Sequence, residues 1–507
     1  MKNLKTKGLL LLAALLAAGM VACNITTDPK ETDASTDAPE ATVEDTAAPT
    51  EISTEAPAEE PTEAPTEAPT EAPVETSAEV TTEVPTEELT EAPTEEPTEA
   101  PTEAPTEAPI KEQLGLEVNM SDLNELMKPI FSGTSSVNET VMFLDKGDVK
   151  SLLYPIDTVV SVTSYDGKKV YEEGKDYVIE DGKLKVTENS SIPCITRKVY
   201  YNDPDSLLQT EYEGNKVMTH WGEGQAMTNW QVNVNYTHTA EWTGYAQESQ
   251  LDIYQNFIKK LQAGEDVTVF FYGDSITYGA NASWLNNYAP FQDTYPVLFV
   301  QALADLFDYT VHYEAGNLTA PNNGMGTCRV PSQNYVAGDR GTITFVNTAI
   351  GGWTSTDGVT YCDTFIKDKV NVYGCDLFII GFGMNDAALA PRRTAQNVEK
   401  VVDAVLELKP EANIVLLSTM VPNPNATNGW YGNQVKQEPE LIKLAEEYRE
   451  KGVACGVACM TSVSLAILEH KDFHDYSGNN INHPNDYFVR VYAQTILQAV
   501  LGYENMN

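Results

Sequence analysis

From about residue 246 to the end, short apolar runs alternate with segments of helical period, and this alternation restricts the possible architecture more than any other feature of the sequence. Leu251, Tyr254, Phe257, Ile258 and Leu261 fall at helical spacing. The pattern then predicts strands over 267–272, 309–313, 344–349, 376–381, 413–418 and near 452–457. Helices are predicted between them over 295–306, 361–372, 395–408 and 439–451, with a last one over 484–501. Strand–helix alternation of this kind specifies a doubly wound parallel sheet, whose ligands sit beyond the carboxyl ends of the strands.

Residues 111–243 have a different period. Gln231 to His238 alternates, with Val232, Val234 and Tyr236 on one face. Asp166-Gly167 and Asp181-Gly182 read as type I′ hairpin turns between short strands. Short alternating strands with polar turns predict a β-sandwich or jelly-roll domain ahead of the α/β region at 244–507. Trp221, Trp230 and Trp242 near its end are read as core or interface residues in preference to a sugar-stacking platform.

Residues 24–110 hold 14 of the 28 prolines, 25 of the 75 acidic residues and one base, with no glycine, aromatic or cysteine. Such a stretch lacks the apolar surface to offset the entropy of ordering, which predicts a disordered linker. Its Pro-Thr-Glu-Ala repeat favours extended backbone, giving a reach on the order of 250 Å at ~3.1 Å per residue. Before it, Lys2, Lys5 and Lys7 precede an apolar run from Leu9 to Ala18, the layout of a secretory signal over residues 1–23. Met20-Val21-Ala22-Cys23 resembles a bacterial lipobox, so Cys23 is the expected lipidation site. That resemblance implies a lipid-anchored protein on the bacterial cell surface, touching the membrane through its anchor alone. The net charge of −43 excludes a nucleic-acid partner, because phosphate binding needs basic patches.

The predicted strand ends carry four motifs. Gly273-Asp274-Ser275-Ile276-Thr277 follows the first, and Asn347-Thr348-Ala349-Ile350-Gly351-Gly352-Trp353 the third. Gly383-Met384-Asn385-Asp386 follows the fourth, and Asn480-Ile481-Asn482-His483-Pro484 opens the last helix. In order and position these resemble blocks I, II, III and V of the SGNH (GDSL) hydrolase family, over about residues 265–505. The resemblance implies a flavodoxin-like parallel sheet with helices on both faces. It also implies Ser275 as nucleophile and His483 as base, with the Ser275 and Gly352 amides and the Asn385 side chain as oxyanion hole. The chemistry agrees: a serine hydroxyl needs an adjacent base, which histidine supplies, and a tetrahedral oxyanion needs preorganised donors. No cofactor and no metal is expected. His470 and His474 are spaced as a zinc pair would be on a helix, but no third ligand accompanies them.

Block V departs from the family pattern, which has Asp three residues before the His; here the residue is Asn480. The expected arrangement is a Ser–His dyad with Asn480 as neutral acceptor, and Asp475 (with Asp472 nearby) as the alternative group orienting His483. After Cys23 come Cys194, Cys328, Cys362, Cys375, Cys455 and Cys459, with pairing left open.

The motifs fix the chemistry but not the substrate. A surface-tethered enzyme with Trp284, Trp353 and Trp430 in loops beyond strand ends fits an esterase that deacetylates polysaccharide through an acyl-enzyme, and a preceding β domain resembles the layout of family 2 carbohydrate esterases. These three tryptophans are the expected substrate-binding residues. Peptidoglycan or sialate O-acetylesterase, and lipase or arylesterase, are alternatives within the family. A surface glycan-binding protein with a vestigial hydrolase domain is the alternative from another class, favoured by Asn480. The sequence gives no oligomeric state.

Overall fold

The segments Val267–Gly273 and Asn413–Leu417 are buried at every residue, the condition of strands covered on both faces, where apolar runs replace alternation. In the computed structural model, which describes residues 122–314 and 329–503, they are central strands of one sheet. The expected leader, Cys23 and the 24–110 linker lie outside the described residues, as does Cys328.

Residues 122–243 contain β1 (Ser135–Met142), β2 (Val149–Lys150), β3 (Thr158–Ser164), β4 (Val170–Tyr171), β5 (Tyr177–Glu180), β6 (Lys183–Val186), β7 (Leu208–Tyr212), β8 (Asn215–Thr219) and β9 (Gln231–Thr237). They pair as an antiparallel sheet in the order β1-β9-β3-β4, a second sheet β2-β6-β5, and the hairpin β7-β8. Asp181 and Gly182 both have positive φ (52° and 73°), as a type I′ turn requires between β5 and β6. At the other expected I′ turn only Gly167 does (φ 71°), because β3 and β4 are joined by a longer connection. Val232, Val234 and Tyr236 are fully buried on β9, as their alternation predicts.

The large sheet comprises β10 (Val267–Gly273), β11 (Thr310–Glu314), β12 (Tyr335–Val336), β13 (Thr342–Asn347), β14 (Leu377–Gly381), β15 (Asn413–Leu417) and β16 (Cys455–Ala458), in the order β12-β11-β13-β10-β14-β15-β16. All pairings are parallel except the two-residue edge strand β12 on β11. Without β11 and β12, the order of the remaining five strands is 2-1-3-4-5, the flavodoxin-like arrangement. Alternate residues of β10 face opposite layers. Val269 and Phe271 join the helices Gln255–Ala263, Tyr295–Phe307 and Asp486–Leu501, while Phe270 and Tyr272 join Pro391–Leu408 and Glu438–Glu450. The expected fold class, a parallel sheet with helices on both faces, is what the chain adopts.

The division expected at residue 243 falls between sheets but not between cores. Val141, Leu153, Val162, Val234 and Tyr236 of the β region share one apolar cluster with Phe257, Phe271, Tyr492 and Leu497. Polar contacts cross the same boundary: Arg490 donates to the carbonyls of Val137 and Asn138, each at 2.9 Å. The described residues therefore belong to one compact unit.

Candidate active site

The site is assembled where β10, β13 and β14 end. Gly273 closes β10, and any side chain there would collide with Thr277 Oγ1 and the Gly381 carbonyl. Asp274 caps the short helix Ser275–Tyr278, its Oδ1 accepting the Ile276 N–H at 3.0 Å and its Oδ2 the Met384 N–H at 3.3 Å. One carboxylate thus ties the serine turn to the loop after β14. Burial pushes Asp274 up to about 7, against the pull of those two N–H bonds. The chain after β13 stays paired to β10, with the Thr348 N–H on the Phe271 carbonyl (3.0 Å) and the Ile350 N–H on the Gly273 carbonyl (3.1 Å). That register continues the β10–β13 pairing to the end of β10, one residue short of Gly351. Gly352 has φ 81°, and the space a side chain would fill there is open. Asn385 Nδ2 donates to the Trp353 carbonyl at 2.8 Å, which leaves its second N–H for a substrate oxygen.

His483 reaches the serine from the start of the last helix: Nε2 lies 2.9 Å from Ser275 Oγ. Both residues are nearly buried, at 2% and 4% exposure. The histidine is presented by a turn built on Asn479, whose Oδ1 accepts the N–H groups of Ile481, Asn482 and His483 at 2.9, 2.9 and 3.0 Å. For Nε2 to accept the serine proton, Nδ1 must carry the ring hydrogen and donate it. Two acceptors stand there, Asn281 Oδ1 at 2.8 Å and Glu223 Oε2 at 3.3 Å. Asn479 Nδ2, also 3.0 Å from Nδ1, is a donor and in this tautomer serves Glu223 Oε1 (3.0 Å) and Asn482 Oδ1 (3.1 Å) instead. Burial raises the Glu223 carboxyl, but the charge of His483 and hydrogen bonds from His483, Asn479 and Asn281 outweigh it and leave the group below its ordinary value.

Neither group expected to orient His483 does so. Asn480 has left-handed backbone (φ 66°), and its Nδ2 donates to Tyr200 Oη (2.9 Å) and the His220 carbonyl (2.7 Å), both in the β region. Asp475 accepts the Met142 N–H at 2.9 Å and the Asp472 N–H at 3.1 Å and pairs with Lys150, so its carboxylate is fully engaged elsewhere. Asp472, His474 and Asp475 cluster closely enough to suggest a cation site, yet the Lys150 ammonium stands among them, within 3.2 Å of each. Burial and that ammonium lower His474 to about 4.

The tryptophans separate. Trp353 is 4% exposed, stacked on Tyr361 with centroids 5.0 Å apart and packed against Phe365 and Tyr272. It is a core residue and not a substrate platform, because the backbone turn that frees Gly352 sends the next side chain inward. Trp430 is half-buried, its indole N–H donating to the Leu207 carbonyl at 3.2 Å. Trp284 is half-buried in the loop that also holds Asn281. The five described cysteines, Cys194, Cys362, Cys375, Cys455 and Cys459, are free thiols. Sequence reasoning missed Asn281 and Glu223. Asn281 lies six residues beyond Ser275, outside the motif, and Glu223 shows only as a charge between two glycines.

A serine on a strand-to-helix turn, an imidazole at hydrogen-bond distance and donor loops from two further strand ends form the arrangement of a serine hydrolase. Residues 271–487 match the model of the GDSL-like Lipase/Acylhydrolase family. No curated protein matches the sequence. Among solved structures, a two-domain esterase active on acetylated mannans, co-crystallised with mannopentaose, is similar at 16% identity and TM-score 0.35, the match covering 52% of this chain and 56% of that one. An acetyl xylan esterase is similar at 15% identity and TM-score 0.31, covering 46% of this chain and 100% of that one. A catalytic mutant of an acetylxylan esterase from Geobacillus stearothermophilus is similar at 15% identity and TM-score 0.32, covering 48% and 96%.

Proposed function

We propose that the protein is a serine esterase that removes acetyl groups from polysaccharide through an acyl-enzyme. The observation that carries this reading is the 2.9 Å contact between His483 Nε2 and Ser275 Oγ, with Nδ1 held on its far side by acceptors. Ser275 Oγ attacks the ester carbonyl while His483 Nε2 takes its proton. The oxyanion is met by the Ser275 and Gly352 amides and the free N–H of Asn385, each such donor contributing about 3 kcal/mol to the barrier. Collapse expels the sugar hydroxyl, which receives its proton from His483. Water, deprotonated by the same nitrogen, then releases acetate and restores the serine.

The acetyl group is inferred from the surroundings of Ser275. The nucleophile is 2% exposed, and Asp274, Asn281, Asn385, Asn479 and Glu223 border its catalytic contacts. A short acyl group on a hydroxylated alcohol suits such a lining better than a long aliphatic chain, whose burial among polar groups would strand them without partners. In the same proposal, the leader, Cys23 and the 24–110 tract tether the enzyme to the cell surface, and Trp284 and Trp430 contact the glycan. A panel of acetylated xylan, mannan and pectin against p-nitrophenyl esters of rising chain length tests this. Acetate release abolished by Ser275→Ala is expected; faster turnover of long acyl chains would refute the acetylesterase reading.

A further inference from the structure

We infer that Glu223, carried by the β region, is the acid that positions His483 and stabilises its protonated form. The inference rests on the serine-esterase reading and adds to it the group that replaces the family's aspartate. During attack the imidazole becomes a cation in a nearly closed site, and a neutral acceptor alone offers it little electrostatic help. Asn281 Oδ1, at 2.8 Å, fixes the tautomer and ring plane. Glu223 Oε2, at 3.3 Å, is the carboxylate that contacts the same nitrogen. The two divide the work that a single carboxylate does in a conventional triad.

Other acids near the histidine are committed elsewhere. Asp475 serves Met142, Asp472 and Lys150. Asp274 spends both oxygens on the Ile276 and Met384 amides. Glu223, in contrast, is aimed at the site by the turn that bears it. The Gly222 N–H donates to the Asn479 carbonyl at 3.3 Å, and Tyr288 Oη reaches the carbonyls of both Gly224 and Asn281 at 3.4 Å. Asn479 Nδ2 grips the second carboxylate oxygen at 3.0 Å. Asn480, standing where the family has aspartate, holds the His220 carbonyl at 2.7 Å, three residues before Glu223. The residue that lost the acid's role thus fastens the segment that supplies the acid. Glu223 touches no reacting atom; it is a positioning residue that acts through His483.

The test uses the full chain and the near-isosteric Glu223→Gln, with Glu223→Asp as the conservative variant. Asp274, which also faces His483, and Tyr288 beside Glu223 stay unchanged. Ser275 phosphonylation by a fluorophosphonate and p-nitrophenyl acetate hydrolysis are followed against pH, with unfolding curves to confirm the fold. Glu223→Gln is expected to lower kcat and the phosphonylation rate roughly 100-fold with KM within about twofold. The acid limb of the pH profile should move about one unit lower, because an imidazole without its carboxylate gives up its proton more readily. Glu223→Asp should recover part of the rate. Rates within threefold of the parent and an unmoved acid limb would overturn the inference, and the same result combined with a large loss in Asn281→Ala would give the whole role to Asn281. If the folded parent chain is not phosphonylated at all, the esterase reading fails, and the pairing is then read directly in Ser275→Ala by the downfield imidazole N–H proton resonance. Loss of that resonance on adding Glu223→Gln supports the contact; its persistence refutes it.

Discussion

Lys471 and Glu139 form an ion pair at 2.7 Å in which both side chains are fully buried, joining the segment ahead of the catalytic histidine to β1. Lys471→Met keeps the aliphatic stem and removes the charge. Glu139 would retain the Leu153 N–H (2.9 Å), Tyr236 Oη (2.7 Å) and Ser136 Oγ (3.2 Å), three donors that soften the loss without neutralising the carboxylate. Breaking a buried pair from one side costs about 3–5 kcal/mol. We therefore expect Lys471→Met to lose about 3–5 kcal/mol at pH 7. Adding Glu139→Gln should recover most of it, because a neutral pair leaves no stranded charge. Urea unfolding followed by both tryptophan fluorescence and far-UV circular dichroism measures these changes, and the shared core predicts one coincident transition. A loss under about 1 kcal/mol, or a double variant no more stable than the single one, would refute the reasoning.

Three further outcomes follow from named contacts. Burial raises Asp486 from 3.8 to about 6, while its Oδ1 accepts the Ser283 N–H at 2.8 Å. Its contribution to stability is therefore present below about pH 4 and lost as pH rises through about 6, so Asp486→Asn should gain about 3 kcal/mol on the parent between pH 4 and pH 7, and a flat difference across that range would contradict it. Asn480→Asp, which restores the family residue, should not raise kcat on p-nitrophenyl acetate and should cost about 1–3 kcal/mol in urea, because Tyr200 Oη and the His220 carbonyl lose their donor. Trp353→Ala should cost about 3–5 kcal/mol through its core contacts, whereas Trp284→Ala should keep the melting temperature within a few degrees and raise KM for acetylated oligosaccharide more than for p-nitrophenyl acetate.

The sheet was legible because its strands are buried on both faces, so each prints as an apolar run bounded by turn residues. The edge was not: β12 has two residues, and pairing that short leaves no period to detect. The contact between Ser275 and His483 joins two short motifs, in each of which the neighbouring residues shape the turn. Trp353 shows the limit of that locality. Its place beside Gly352 suggested the cleft, but the direction of a side chain after a strand depends on backbone angles that composition does not record. Asp166-Gly167 failed in the same way, with the dipeptide present and the loop too long for it.

Glu223 was hidden for a different reason, namely its separation of 260 positions from His483 in the sequence. A carboxylate three residues from its histidine is held by one turn of chain and can be found in one motif. A carboxylate delivered from a distant loop, as Glu223 is from the connection between β8 and β9, is useful only if both carriers are rigid to within about 0.5 Å. That requirement gives a purpose to polar residues in the β region which the strand pattern left unexplained. Gln231 Nε2 binds the His474 and Ser477 carbonyls at 2.8 and 2.9 Å, and Asn485 Nδ2 binds Thr140 and Gln231, each at 2.9 Å. Lys150, Met142 and Glu139 hold Asp472, Asp475 and Lys471. All of these grip residues 471–485, the segment that presents His483. Since buried polar groups persist only when paired, loosening one latch leaves others unsatisfied, and the segment and the β region should yield together. The β region then cannot be a detachable glycan-binding appendage in which the catalytic domain remains competent alone: removing it would strip His483 of its acid and its brace in the same step.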